Sequence, residues 1–168
     1  MSLDAAANIN LEQMDVDATI HAFTSLPEHA EIGPQIMTKG DGIYLSDNKG
    51  NTYIDAMAAL FCVNVGYGRD EIAEAISKQA HDFAYFHTFG GNAHEQQIKL
   101  GERLLKILPS HMSKVLFASS GSEANDANVK LAWMYQQLRG KPGKRKIISR
   151  HSGYHGVTSA CASMSGLP

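Results

Sequence analysis

An α/β fold is predicted for this chain: an N-terminal arm and β-hairpin segment, followed by the start of a mainly parallel sheet. Three observations predict it. Residues 114–151 read strand, turn, helix, strand. Residues 42–55 read as two β-prone runs about an Asp-Asn-Lys-Gly turn, and two amphipathic helical patterns lie between these regions. Strand, helix and strand in that order imply a right-handed crossover joining parallel strands. A parallel sheet is covered on both faces and needs more strands than these, so the domain is expected to continue beyond Pro168. The division read from the sequence is 1–68 for arm, helix and hairpin, and 69–168 for the beginning of the larger domain.

The elements follow in order. "LEQMDVDATIHAF", residues 11–23, has the composition of a short helix, and "SLPEHAEIGPQ" reads as an extended arm punctuated by prolines. "GIYLSDNKGNTYID" from Gly42 is a local antiparallel hairpin. In residues 69–83, Ile72, Ile76, Ala80 and Phe83 fall at helical spacing, and Asp70 and Glu71 favour the helix start. A second helix, from about Ala93 to Leu108, presents Ile98, Gly101, Leu105 and Leu108 on one stripe and stops at Pro109. "KVLFAS", 114–119, is a predicted strand. The helix after it lines up Ala124, Ala127, Leu131, Tyr135 and Leu138, and Asp126 precedes Lys130 by four positions, as in a solvated ion pair. "KRKIISRH", 144–151, is the second predicted strand of the crossover.

Bulk properties narrow the function. With 43% hydrophobic and 19% charged residues, the 168-residue chain has the composition of a globular unit with a real core. Fifteen basic against 17 acidic residues, a net charge of -2, point away from nucleic acid. No apolar run approaches the ~20 residues of a membrane helix, and the acidic start does not suit a signal peptide. A cytoplasmic protein with reduced Cys62 and Cys161 is expected.

Two turns carry chemistry. Ser120, Gly121 and Ser122 lie where a strand gives way to a helix. There, unpaired N–H groups at the positive end of the helix dipole suit an anion such as phosphate. The same residues with Glu123 match a capping box, and the two readings are compatible because a cap leaves other N–H groups free. No G-x-x-x-x-G-K-[ST] occurs, and "GYGRDE" supplies only two glycines of a dinucleotide fingerprint, so ATP and NAD are poor candidates. The second turn, "HSGYHG" at 151–156, follows the next predicted strand. In a parallel sheet Tyr154 then stands close to the serine turn, on the same edge, suiting a flat phosphorylated ring. His151 and His155 lack a visible third partner, and no metal site is expected.

These residues reach a family. "SSGSEANDANVKLAW", then a strand and "GYHG", together with "GDGIYLSDNKGNTYIDAMAALFCVNVGYGRDEI" upstream, resemble the class III, fold-type-I aminotransferases. Within these the chain is most similar to the ω-amino-acid:pyruvate transaminases, from about residue 11 onward. The resemblance implies a three-layer PLP-transferase large domain and pyridoxal 5'-phosphate as cofactor. Gly121 and Ser122 would hold its phosphate with Ser120 beside them, Tyr154 would stack on its ring, and His155 would pack close to it. Glu123 and Asn125 would cap the helix and order the turn. Phe61 and Phe89 would line the substrate pocket, Phe89 facing the other subunit's site; an aromatic in an apolar run is equally a core residue. The implied reaction moves an amino group from an amine or ω-amino acid to a keto acid such as pyruvate, in a homodimer or larger assembly. The lysine that forms a Schiff base with the cofactor, and the acid that pairs with the ring nitrogen, are expected after Pro168. A class III aminomutase, racemase or decarboxylase shares the same turns. A phosphate-ligand binding module without catalysis, or a fragment serving only dimer contacts, is also compatible with them.

Overall fold

In the computed structural model, residues 10–166 are described, and they form two compact units, one ending at Tyr85 and the other beginning at Phe86. The first opens with α1, Leu11–Ala18, capped by the Asn10 side chain accepting from Gln13 N at 3.1 Å. It ends earlier than the helix predicted to residue 23. The arm expected to be extended contains a second helix, α2, Leu26–Ile32. Pro27 stands in its first turn, where a missing N–H costs nothing, and Gly33 at φ 77° ends it. The proline there is a start signal and not the interruption read from the sequence.

The hairpin forms as predicted and gains a strand. β1 (Met37–Asp41), β2 (Tyr44–Asp47) and β3 (Thr52–Ile54) make an antiparallel sheet in the order β1-β2-β3, with Tyr44 opposite Ile54 and Ser46 opposite Thr52. Asp47 organises the turn between β2 and β3. Its carboxylate accepts from the N–H groups of Lys49 and Asn51, the Asn51 amide and the Tyr53 hydroxyl, all at 2.8–2.9 Å.

After the sheet, α3 (Ala58–Phe61) is a single turn whose four residues all have positive φ, from 47 to 69°. Left-handed backbone costs a non-glycine residue roughly 1–2 kcal/mol, so the turn must be held from outside. Asp55 holds it, accepting from Met57 N at 3.2 Å, Ala59 N at 2.7 Å and the Tyr67 hydroxyl at 2.7 Å. The Tyr67 hydroxyl is the largest cause of an Asp55 carboxyl held below its usual range. Tyr67 is fixed in turn by backbone bonds to Gly42, and its ring lies where a side chain on Gly40 would have to go. α4 (Asp70–Phe83) completes the unit, starting at the predicted acids.

The second unit contains a short 3-10 turn at Phe89–Gly91, then α5 (Glu95–Ile107), α6 (Gly121–Leu138) and α7 (Ser159–Met164). The two predicted parallel strands are not formed: residues 114–118 and 145–150 have no regular secondary structure. A strand exists through its hydrogen-bonded neighbours, and neither segment pairs with another among the described residues. The second one runs along α6, where Trp133 Nε1 donates to Arg145 O at 2.9 Å.

The composition's promise of a core is also overturned. Among the described residues only Val129 and Cys161 are buried apolar residues. Ile72, Ile76 and Phe83 on α4, Ile98 on α5, and Leu131, Tyr135 and Leu138 on α6 are all exposed. The predicted stripes occur on the predicted helices, but among the described residues they are at most half-buried, as at Leu105, Ala124 and Ala127. On α6 the packed face is a different one, defined by Ser122, Asn125, Asp126 and Val129.

Candidate cofactor site

The site begins with the cap of α6. Ser120 Oγ accepts from Glu123 N at 3.1 Å, and Glu123 Oε2 accepts from Ser119 N at 2.9 Å, one residue before the reach expected of a capping box. The Glu123 carboxylate is thereby spent on the turn behind the helix. The N–H groups of Gly121 and Ser122 make no bond to any described residue, which leaves two donors at the positive end of an 18-residue helix. A side chain at Gly121 would meet nothing within 4 Å, so the approach to these donors is open.

The second turn is bound onto the first. Ser122 Oγ accepts from Val157 N at 3.0 Å, and Asn125 Nδ2 donates to His155 O at 2.9 Å. Thr158 Oγ1 donates to Asp126 Oδ1 at 2.9 Å, and Cys161 Sγ lies 3.2 Å from both Ser122 O and Asp126 Oδ1. Asp126 therefore faces the second turn and not Lys130, contrary to the solvated pair read from the sequence. A hydroxyl and a thiol beside its carboxylate repay burial better than a screened surface charge does. Gly156, at φ 125°, is buried where a side chain would come within 2.5 Å of Ser122 Oγ and 2.9 Å of Cys161 Cβ. Here glycine is required by both backbone and space. Gly156, Val157, Thr158 and Cys161 were not read from the sequence as site residues. The glycine of "GYHG" was the one available signal, because the others act through contacts more than 30 positions away.

The result is a cleft of about 530 Å³ lined by both turns. Ser120, Gly121, Ser122, Tyr154 and His155 all line it, so five of the seven predicted site residues are brought together. Tyr154 is 56% exposed and offers its ring to the cleft, whereas His155 is partly buried, with an Nε2 atom that has no hydrogen-bond partner. No lysine is among the lining residues. Phe61, on the left-handed turn, and Phe89, on the 3-10 turn, are not among the residues that line it; at 72% and 82% exposed, neither is a core residue of the described chain.

A helix N-terminus with two unspent N–H donors, clamped to a turn that carries an aromatic ring, has the donor set and the face that suit a flat anionic ligand. Comparison with known proteins gives the family. Residues 27–167 match aminotransferase class-III, and the chain belongs to that family. It is 42% identical over 160 residues to a diaminobutyrate–2-oxoglutarate transaminase of Halomonas elongata, covering 94% of this chain and 34% of that protein. It is 38% identical over 151 residues to a putrescine–pyruvate aminotransferase of Pseudomonas aeruginosa, covering 90% of this chain and 33% of that protein. The structure of an ω-transaminase from Pseudomonas jessenii in complex with PMP superimposes with a TM-score of 0.90 at 42% identity, over 94% of this chain and 35% of that one. The fold is thus that of a fold-type-I PLP-transferase, and the chain spans about a third of the length of the relatives it matches.

Proposed function

We propose that this chain is the N-terminal portion of a PLP-dependent transaminase that moves an amino group from an amine or ω-amino acid to a keto acid such as pyruvate. The observation that carries the proposal is the pair of unspent N–H donors at Gly121 and Ser122, opening into the cleft that Tyr154 shares. These residues suit pyridoxal 5'-phosphate: an orphaned donor pair for the phosphate and an aromatic face for the ring. PLP supplies the electron sink that lets the bond to the amine's Cα hydrogen break. The chain's own part is binding and orientation. Gly121 and Ser122 hold the phosphate, Tyr154 sets the plane of the ring, and Asn125 and Ser122 fix the turn that carries Tyr154 and His155. The lysine and the ring-nitrogen acid come from the rest of the protein. In this reading residues 1–68 belong to the arm and small-domain part, and 69–168 open the cofactor domain. Phe61 and Phe89 contribute to the substrate pocket. We place the full-length protein in the cytoplasm; exposed apolar helix faces support a homodimer or larger assembly, which light scattering on the full-length protein tests.

The reaction is tested by adding an amine alone to the purified full-length protein. The visible absorption of the bound cofactor should disappear, and pyruvate should restore it while alanine accumulates. Isomerised or decarboxylated amine with no use of keto acid would assign an aminomutase, racemase or decarboxylase. No spectral change with a panel of amines would leave a binding module.

A further inference from the structure

A second constellation lies in the first unit. Asp15 on α1, His21 in the connection after it, and His29 on α2 place one ligand atom each within 4.8 Å of one another. Spaced six and eight positions apart, they form no metal motif in the sequence. Asp15 Oδ2 faces His21 Nε2 at 2.8 Å and His29 Nε2 at 3.0 Å. A carboxylate only accepts, so both imidazoles present Nε2–H to the same oxygen. The rings stand 4.7 Å apart, tilted by 53°, and the side chains of His29 and Asp15 are only 10% and 22% exposed. Two imidazoles converging on one oxygen form a three-cornered donor set, with the atoms that commonly bind zinc turned inward.

We propose that Asp15, His21 and His29 form a zinc-type divalent metal site that ties α1 to α2, with a water completing the coordination. Zinc accepts imidazole nitrogen and carboxylate oxygen in a tetrahedron with bonds of about 2.0–2.2 Å, which sets ligand atoms roughly 3.3 Å apart. The two distances from Asp15 Oδ2, 2.8 and 3.0 Å, need widen only slightly once the bridging protons leave, and the third lies within 4.8 Å. The nitrogen-rich set suits zinc better than magnesium or calcium, which take oxygen. His29 also borders a cleft of about 160 Å³, together with Thr24, Ser25 and Glu28. The need for such a tie is physical. Neither α1 nor α2 has a single buried residue, so packing does not hold them together, and a metal is a recognised substitute for a missing core. This inference is independent of the cofactor reading.

The test uses the full-length protein, stripped with chelator and dialysed against zinc alone. About one zinc ion per chain should remain after gel filtration. Affinity should fall by at least about tenfold in Asp15→Asn, His21→Gln and His29→Gln, since even partners outside the coordination shell cost that much. Cobalt(II) in place of zinc should give the intense visible absorption of a four-coordinate ion, lost in each variant. His21→Gln keeps a hydrogen-bond donor for Asp15 and so separates a metal ligand from a simple latch. Zinc bound equally by the wild type and His21→Gln, or a cobalt spectrum like that of the free aqua ion, would overturn the proposal.

Discussion

At the scale of single residues, Tyr154 and Asp47 show how exposure and burial divide function from structure. Tyr154 is 56% exposed and borders the cleft, so Tyr154→Ala removes a stacking face there. In the full-length protein its PLP affinity should fall by an amount equivalent to ~0.5–1.5 kcal/mol, with slower turnover in a protein that still folds. Cofactor titration and calorimetry check this together, and unchanged affinity would put Tyr154 outside the site. Asp47 is buried and does the opposite service. The Asn51 amide, then the Tyr53 hydroxyl and two backbone N–H groups, outweigh burial and lower its carboxyl from 3.8 to about 2. A depressed carboxyl stabilises the folded turn above its unfolded value and loses that contribution as pH falls through the folded one. Protection of the Lys49 and Asn51 amides, measured against free-peptide exchange at each pH, should therefore be full above about pH 4 and fall between about pH 4 and 2. In Asp47→Asn this loss of protection with pH should be absent.

At the scale of elements, the site is made by one helix face gripping one turn. Ser122, Asn125 and Asp126 on α6 each bond to residues 155–158, and Gly156 lies where that grip is tightest. Gly156→Ala would press a methyl group into Ser122 and Cys161 on a backbone that disfavours it, a loss of roughly 1–3 kcal/mol. Because the strain falls on the joint, the variant should lose PLP affinity as well as stability, and a variant of normal affinity would show the turns to be independent. Ser120→Ala tests the other end. It removes a cap worth about 1 kcal/mol and should lower stability, while PLP binding persists through the N–H groups of Gly121 and Ser122.

At the scale of the whole molecule, the described residues hold little core, and no lysine lines the cleft. Val129 and Cys161 alone are buried apolar residues among those described, while many apolar residues of α4, α5 and α6 are exposed. Residues 1–168 expressed alone should bind a hydrophobic dye strongly and unfold without a sharp transition. They should not transaminate. A missing general base alone costs typically ~10²–10⁴-fold, and the lining of the cleft supplies no lysine to replace it. Borohydride treatment with PLP should give scattered surface adducts by peptide mapping. One stoichiometric lysine together with turnover would place the catalytic centre within this chain.

What the sequence determined by itself was local. The hairpin about Asn48–Gly50, the helices at 70–83 and 95–107, and the cap of α6 depend on residues a few positions apart, and all were readable as patterns. The serine turn and "GYHG" were also visible as motifs; their meeting was expected from a shared edge of a parallel sheet, whereas here the contacts of α6 with residues 155–158 bring them together. Tertiary structure decided the rest. Residues 114–118 and 145–150 carry strand-like sequences but no strand, because a strand is a relation between segments and the partner is not among the described residues. The face of α6 that packs was decided by Thr158 and Cys161, 32 and 35 positions beyond Asp126. No periodicity reports such a contact. The same holds for Asp15, His21 and His29, which share no motif: their convergence arises from how a short helix, a connection and a proline-started helix place three side chains in space.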